Sequence, residues 1–395
     1  MQITFWILFA ILAYAFAGYF VVLKILAPVV RRLRKPHRVD ENHRPKISLV
    51  ISLHNEEKHI AQRIDSFEAL DYPPDNIELA LGDDCSTDRT RAIIRQRMQK
   101  NPRIRLIEFD THQGKTEVIN KVVPQLTSDI VAFSDANTFW KPESARLLAR
   151  HFADPRVGAA CGHMELLDPA GQNPEDRYWQ GEAAMKMMEN DLGVLLGATG
   201  GIYMMRRELF RPLQSNVIQI DDFIWPLRVY EYGKIGIYER GAVANEEVSH
   251  TVEGEFRRKI RIGTGDYRAI KECWRLLMPW KGWVAFCFWS HKVLRWLAPF
   301  FLVALLVVNA FLLEHLLYQI TFALQLAFYA SALVGKLLSG QRHIVADLFR
   351  VPYYFVGSNL ALLLGFFKCV TGRQKAAWSE KAHRTAAASS SQSPS

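Results

Sequence analysis

The chain has 395 residues, 49% of them hydrophobic and 23% charged, a balance that excludes a low-hydrophobicity disordered chain and a small disulfide-stapled domain. Its mean hydropathy of −0.03 is high for a soluble enzyme with this much charge, so apolar and charged residues segregate into different parts of the chain. A net charge of +9 admits a nucleic acid, an anionic lipid surface or a phosphorylated substrate, and the address of the charges decides among them.

From the N-terminus, Ile3 to Leu26 is apolar apart from Thr4, Gly18 and Lys24, which matches the roughly 20 residues of a bilayer-spanning helix and sets residues 1–28 apart as an N-terminal transmembrane helix. A signal peptide is disfavoured. No basic segment precedes the run, whereas Arg31, Arg32, Arg34, Lys35 and Arg38 follow it and hold the next segment in the cytoplasm.

Residues 46–270 form a polar block long enough for one α/β domain. Ile47 to Leu53 reads as a strand, Glu56 to Leu70 as a helix, and Ile77 to Leu81 as a second strand. After Asp88, a helical stretch to Met98 leads to strands at Ile104 to Phe109 and Asp129 to Phe133. Alternating strands and helices predict a parallel sheet, whose ligands bind beyond the carboxyl ends of the strands.

Residues 271–296 intersperse Trp274, Trp280, Trp283, Trp289 and Trp296 with Lys281, Lys292 and Arg295, a mixture suited to helices in the headgroup layer. Residues 297–370 hold the C-terminal transmembrane helices: Leu297 to Leu313 and Leu316 to Val334 as a hairpin, then Val351 to Val370. Three spans after a cytoplasmic domain would leave the C-terminus outside, yet Lys368, Arg373, Lys375, Lys381 and Arg384 argue for the inside. A re-entrant last run or one more crossing reconciles the two, and the charges favour a cytoplasmic C-terminus. Residues 371–395 read as a basic, then Ala/Ser-rich and disordered tail. Five cysteines, Cys85, Cys161, Cys273, Cys287 and Cys369, indicate neither a zinc site nor a disulfide framework and are expected to be reduced thiols.

Polar clusters fall at the predicted strand ends: His54-Asn55-Glu56-Glu57, Gly82-Asp83-Asp84-Cys85-Ser86-Thr87-Asp88 and Ser134-Asp135-Ala136-Asn137. Each alone could cap a helix. Three at one sheet edge bring carboxylates together, a repulsion tolerated where a divalent cation or polar ligand binds between them.

With these residues in view, the block from about Lys46 to about Ile270 resembles the membrane-bound family 2 glycosyltransferases. The resemblance is to polysaccharide synthases of the cellulose synthase and poly-N-acetylglucosamine synthase type, and it implies a GT-A fold flanked by transmembrane α-helices. Ser48 to Glu57 looks like the family's first strand and N-E-E turn, with Asn55 and Glu57 at the nucleotide-sugar site. Leu81 to Thr90 is similar to the D-D-x-S-x-D-x-T signature, which implies that Asp83 and Asp84 read uracil and ribose. Ser134 to Thr138 stands at the D-x-D position, so Asp135 and Asn137 would hold Mg²⁺ or Mn²⁺ on the diphosphate, an amide replacing the second carboxylate. Lys115 in His112-Gln-Gly-Lys would sit near that diphosphate; a solvated lysine at a helix start is the alternative.

Gly197 to Arg206 looks like the segment lining the acceptor side, where glycines keep the wall thin. Ile220-Asp221-Asp222-Phe223 is similar to the motif whose final Asp is the catalytic base, which implies Asp222, with Asp221 as second candidate. Arg258 and Arg261 occupy the place of Q-x-x-R-W, beside the diphosphate, with Ile262 where the family has Trp; a basic helix that binds anionic lipid is the alternative. The resemblance implies an inverting transfer of a hexose or N-acetylhexosamine from a UDP-sugar to a lipid-linked or growing polysaccharide acceptor. The expected setting is a bacterial inner membrane, with membrane lipid as a partner and the catalytic domain in the cytoplasm. Ile262 tilts this toward single addition over a processive exopolysaccharide synthase that extrudes its product. Asn137 and Ile262 also leave room for a non-catalytic sugar-nucleotide-binding scaffold. Nucleic acid is not expected, because the basic excess gathers beside the apolar runs.

Overall fold

The computed structural model describes residues 1–167, 176–214, 220–247, 252–338 and 344–372. Beyond Gly372 the expected disordered tail, including Lys375, Lys381 and Arg384, lies outside the described residues. The chain divides into two compact units, one of Leu26–Ser249 with Glu272–Val284, the other of Met1–Ile25, His250–Lys271 and Ala285–Arg373.

The first unit is built on a sheet whose strands, in chain order, are β1 (Ile47–Leu53), β2 (Ile77–Asp84), β3 (Ile104–Phe109), β4 (Ile130–Phe133), β5 (Thr138–Trp140), β6 (Val157–Leu167), β7 (Tyr203–Arg206) and β8 (Ile235–Glu247). Their spatial order is β3-β2-β1-β4-β7-β6-β8-β5. The half β3-β2-β1-β4 is parallel, as the strand and helix alternation predicts. The other half is mixed: β7 runs antiparallel to both β4 and β6, β6 pairs β8 in parallel, and β5 closes the edge antiparallel to β8. Helices still separate these strands (Ser144–Ala149, Asp176–Asp191 and Asp221–Arg228), but β7 enters between β4 and β6 in the opposite sense, so alternation alone does not make this half parallel.

Every residue of β1 is buried, as expected for a central strand covered on both faces. Ile47, Leu49, Ile51 and Leu53 join Ile60, Ile64 and Phe67 of the helix Ile60–Glu68 in one core, where each such side chain contributes roughly 1.5–3 kcal/mol. Ser48 inside that strand is satisfied by Glu78 and by Ser128 Oγ at 2.8 Å. On β2, a Cβ at Gly82 would lie 2.4 Å from Val118 Cγ1. The missing side chain lets the helix Lys115–Val122 lie directly on the sheet.

In the second unit, Gln2–Leu33, of which the part up to Ile25 belongs here, Trp283–Ala310, of which the part from Ala285 belongs here, Leu316–Leu337 and Leu348–Thr371 are, among the described residues, long and apolar enough to cross a membrane. From Trp283, the stretch expected in the headgroup layer already runs into the second of these helices, and only the turns Trp274–Leu277 and Pro279–Lys281 precede it. Two π-helical turns, Tyr14–Gly18 and Phe288–Val293, face each other. Tyr14 and Ser290 are hydrogen-bonded at 2.8 Å, and Arg295 Nε donates to the Ala15 carbonyl at 3.1 Å, a partner for backbone that a π-turn loosens. The helix Val252–Glu272 crosses the last helix at Gly263 and Gly365; a Cβ at Gly365 would come within 2.8 Å of Gly263 backbone.

Candidate active site

The loops after β1 and β2 clasp one another. Asn55 and Cys85, both with positive φ (58° and 60°), sit at their tips, and non-glycine residues in this region carry strain typical of functional sites. Asn55 Oδ1 accepts from Thr87 N at 2.8 Å, Asn55 N donates to Ser86 Oγ, and Glu57 Oε2 accepts from Arg89 N at 3.1 Å. Asn55 is therefore a bridge between loops and not a helix cap; the helix begins at Ile60. Asp83 is buried against Arg91 Nε and Ser86 N, and its Oδ1 has no partner.

Asp84 is also buried. Its two carboxylate oxygens accept from Gln113 N and Gly114 N, each at 2.7 Å. Gly114, at φ 91°, precedes the helix Lys115–Val122, so Asp84 anchors the start of that helix and aims its first side chain. Lys115 Nζ then donates to Asp135 Oδ1 at 2.7 Å and lies 3.7 Å from Asp221 Oδ2. Burial opposes the ammonium charge, but Asp135, Asp221 and Asp222 outweigh it and raise the Lys115 pKa above its ordinary value. A solvated lysine at a helix start does not fit this setting.

Asp221 and Asp222 occupy the first turn of the helix Asp221–Arg228, where the backbone N–H groups favour negative charge. The N-cap position itself is Ile220, which has no side-chain cap bond. Burial, then Asp221 and Asp135, push the Asp222 carboxyl up to about 6, against Lys115 and Lys186, which pull it down. Its wall is glycine: a Cβ at Gly200 would stand 2.9 Å from Asp222 Oδ2, and Ala198 N donates to the Asp222 carbonyl at 2.7 Å.

The expected residues thus form three groups. Lys115, Asp135, Asp221 and Asp222 are together; Asn55, Glu57, Asp83 and Asp84 organise the neighbouring strand-end loops; Arg258 and Arg261 are exposed on the helix Val252–Glu272 of the other unit. Asn137 Nδ2 donates to Glu246 Oε1 at 3.1 Å. That bond occupies the donor end of the amide. Among the described residues no three His, Cys, Asp or Glu side chains form a metal-ligand set. The Asp135 carboxylate and the Asn137 amide oxygen still suit a hard cation that takes its remaining ligands from phosphate and water.

Two residues were not singled out from the sequence. Lys186 Nζ donates to Thr199 Oγ1 at 3.1 Å and acts on Asp222; nothing in its spacing marks it. Arg63 is fully buried, and none of its three nitrogens has a partner. Its signal was legible: a charge on the apolar face shared by Ile60, Ile64 and Phe67.

Residues 48–213 match the model of glycosyl transferase family 2. The chain is 29% identical over 254 residues to a beta-monoglucosyldiacylglycerol synthase of Synechocystis sp., covering 60% of this chain and 52% of that protein. It is 21% identical over 232 residues to a poly-beta-1,6-N-acetyl-D-glucosamine synthase of Staphylococcus epidermidis, covering 57% and 55%. The alignments thus span about half the length of these relatives. Among solved structures, mannosyltransferase PcManGT from Pyrobaculum calidifontis, in complex with GDP-Man and Mn²⁺, superimposes with a TM-score of 0.69 at 20% identity, covering 94% of this chain and 100% of that one. At that identity the likeness is one of fold, a GT-A sheet with its accompanying helices.

Proposed function

Because the chain carries a glycosyltransferase family 2 domain, we propose that it is an inverting membrane enzyme. It moves a hexose or N-acetylhexosamine from a UDP-sugar to a lipid-linked or growing polysaccharide acceptor, with the catalytic domain on the cytoplasmic side of a bacterial inner membrane. The observation that carries this reading is the gathering of Lys115, Asp135, Asp221 and Asp222 at the carboxyl end of β4 and the start of one helix.

Each residue has a task in that reaction. Asp222, with a carboxyl near 6, is ionised at neutral pH yet basic enough to take the proton of an acceptor hydroxyl as it attacks the anomeric carbon. Asp221 keeps Lys115 in place from the same helical turn. Lys115 brings positive charge to the oxygens of the departing diphosphate. Asp83 and Asp84 lie beneath the loops they organise, so they support the nucleoside through the backbone of those loops, together with Asn55 and Glu57. A bound Mg²⁺ or Mn²⁺, held by Asp135 and Asn137, would neutralise the diphosphate charge that builds as the bond to the sugar breaks.

Single addition is the favoured mode, because Ile262 offers no stacking surface where a processive synthase has Trp. The test is a donor screen that measures nucleotide release from UDP- and GDP-sugars with each cation, plus gel analysis of the product. Acceptor-stimulated release from one UDP-sugar and a product longer by one residue support the reading. A ladder of products overturns single addition, preference for a GDP-sugar overturns the UDP donor, and no release from any donor overturns the enzyme.

A further inference from the structure

Arg63 lies on the buried face of the helix Ile60–Glu68, with Ile60, Ile64 and Phe67 as neighbours on that face. One turn on, Ser66 Oγ donates to the Trp140 carbonyl at 3.3 Å, which seats this helix against β5, the strand that follows the loop of Asp135 and Asn137. The Arg63 side chain is wholly buried, and Nε, Nη1 and Nη2 all lack a hydrogen-bond partner. An arginine has five donors in a rigid fork and cannot satisfy them in hydrocarbon. Burial lowers its pKa to about 9, and Asp135 is the charge that pulls it back up, so it remains a cation at neutral pH. An unsatisfied buried cation is strongly unfavourable, and an apolar residue would serve the core better.

Asp135 is the loop's sole carboxylate, since position 137 is Asn, and its Oδ1 accepts from Lys115 Nζ. Lys115 is also the cation expected to move to a diphosphate. We propose that Arg63 is the positioning residue for Asp135: when a nucleoside diphosphate and its divalent cation bind and Lys115 turns to the diphosphate, the Arg63 fork takes over the Asp135 oxygen that Lys115 leaves. The carboxylate is then held from behind, with its other oxygen toward the cation. This rests on the sugar-nucleotide reading of the site given above. Metal-ligating carboxylates are held by such outer partners, and losing one weakens metal binding by about 10–100-fold.

The test is Mn²⁺ binding, read by electron paramagnetic resonance on the full chain in detergent with UDP or GDP, together with melting temperature. Arg63→Met fills a similar volume without charge. The expected result is Mn²⁺ affinity lower by about 10–100-fold in a ligand-free protein that melts no lower than wild type, because an unsatisfied charge has been removed. Unchanged affinity makes Arg63 merely structural and overturns the proposal; tighter binding makes it only a repelling charge and overturns it too. If Arg63→Met fails to fold, Arg63→Lys decides: it keeps the charge and loses the fork, so a loss of about tenfold or more supports the proposal and unchanged affinity sinks it. A wild-type chain that binds no Mn²⁺ with either nucleotide overturns the sugar-nucleotide reading, and the role of Arg63 with it.

Discussion

Lys115 Nζ lies 2.7 Å from Asp135 Oδ1 and 3.7 Å from Asp221 Oδ2, so one ammonium ties the loop after β4 to the first turn of the helix Asp221–Arg228. Without it, Asp135, Asp221 and Asp222 repel one another, with only Lys186 left acting on Asp222 and Arg63 on Asp135 among the cations described above. Lys115→Met should therefore lower kcat/KM for the donor by about 10²–10³ and lower the melting temperature near neutral pH. Steady-state kinetics and thermal unfolding on the same preparation check both.

The raised Asp222 carboxyl has a pH signature. Its base form is lost as pH falls through about 6, so log kcat should drop with a slope near one below that value. Its effect on stability has the opposite sense. A carboxyl raised above its ordinary value favours the protonated folded form, so its stabilising contribution is complete below the unfolded pKa and lost as pH rises through about 6. A pH profile of kcat beside one of melting temperature separates the two trends.

Gly200 bears on geometry alone. A Cβ there would stand 2.9 Å from Asp222 Oδ2, the far end of a side chain, so Gly200→Ala should fold normally while displacing the base. Misplacement by an ångström costs up to about 10²-fold in rate. We expect kcat to fall by about tenfold or more with the melting temperature unchanged; unaltered kcat would show that Asp222 need not stand where it does.

Asn137 tests charge at the cation site. Asn137→Asp restores a second carboxylate beside Asp135, and ligand charge count tunes the affinity of hard cations. Mn²⁺ should bind about tenfold or more tightly in the presence of UDP, measured by titration calorimetry.

The first half of the fold was legible because each strand from Ile47 to Phe133 is a short apolar run separated from the next by a helix, which forces a parallel sense. From Val157 onward strands and helices still alternate, but the mixed half containing β6, β7 and β8 depends on pairings between distant segments that no local pattern encodes. At the site, Asp135 stood out by residue type at a strand end, and Asp221 and Asp222 through their likeness to a family motif. The roles of Asn55 and Asp84 did not, because a bridging amide and a ligand-reading carboxylate look alike until their hydrogen bonds are seen. Arg63 broke the apolar face of its helix and could have been found by that conflict alone.

The central claim is that Asp222 is the base of a sugar transfer performed at a nucleotide site it does not itself build. Asp222→Asn measures this most directly, through transfer turnover and Mn²⁺-dependent UDP binding on the same sample. The account predicts turnover lower by about 10²–10⁴-fold with UDP affinity nearly unchanged. Loss of both to a similar degree, or retention of turnover, would contradict it.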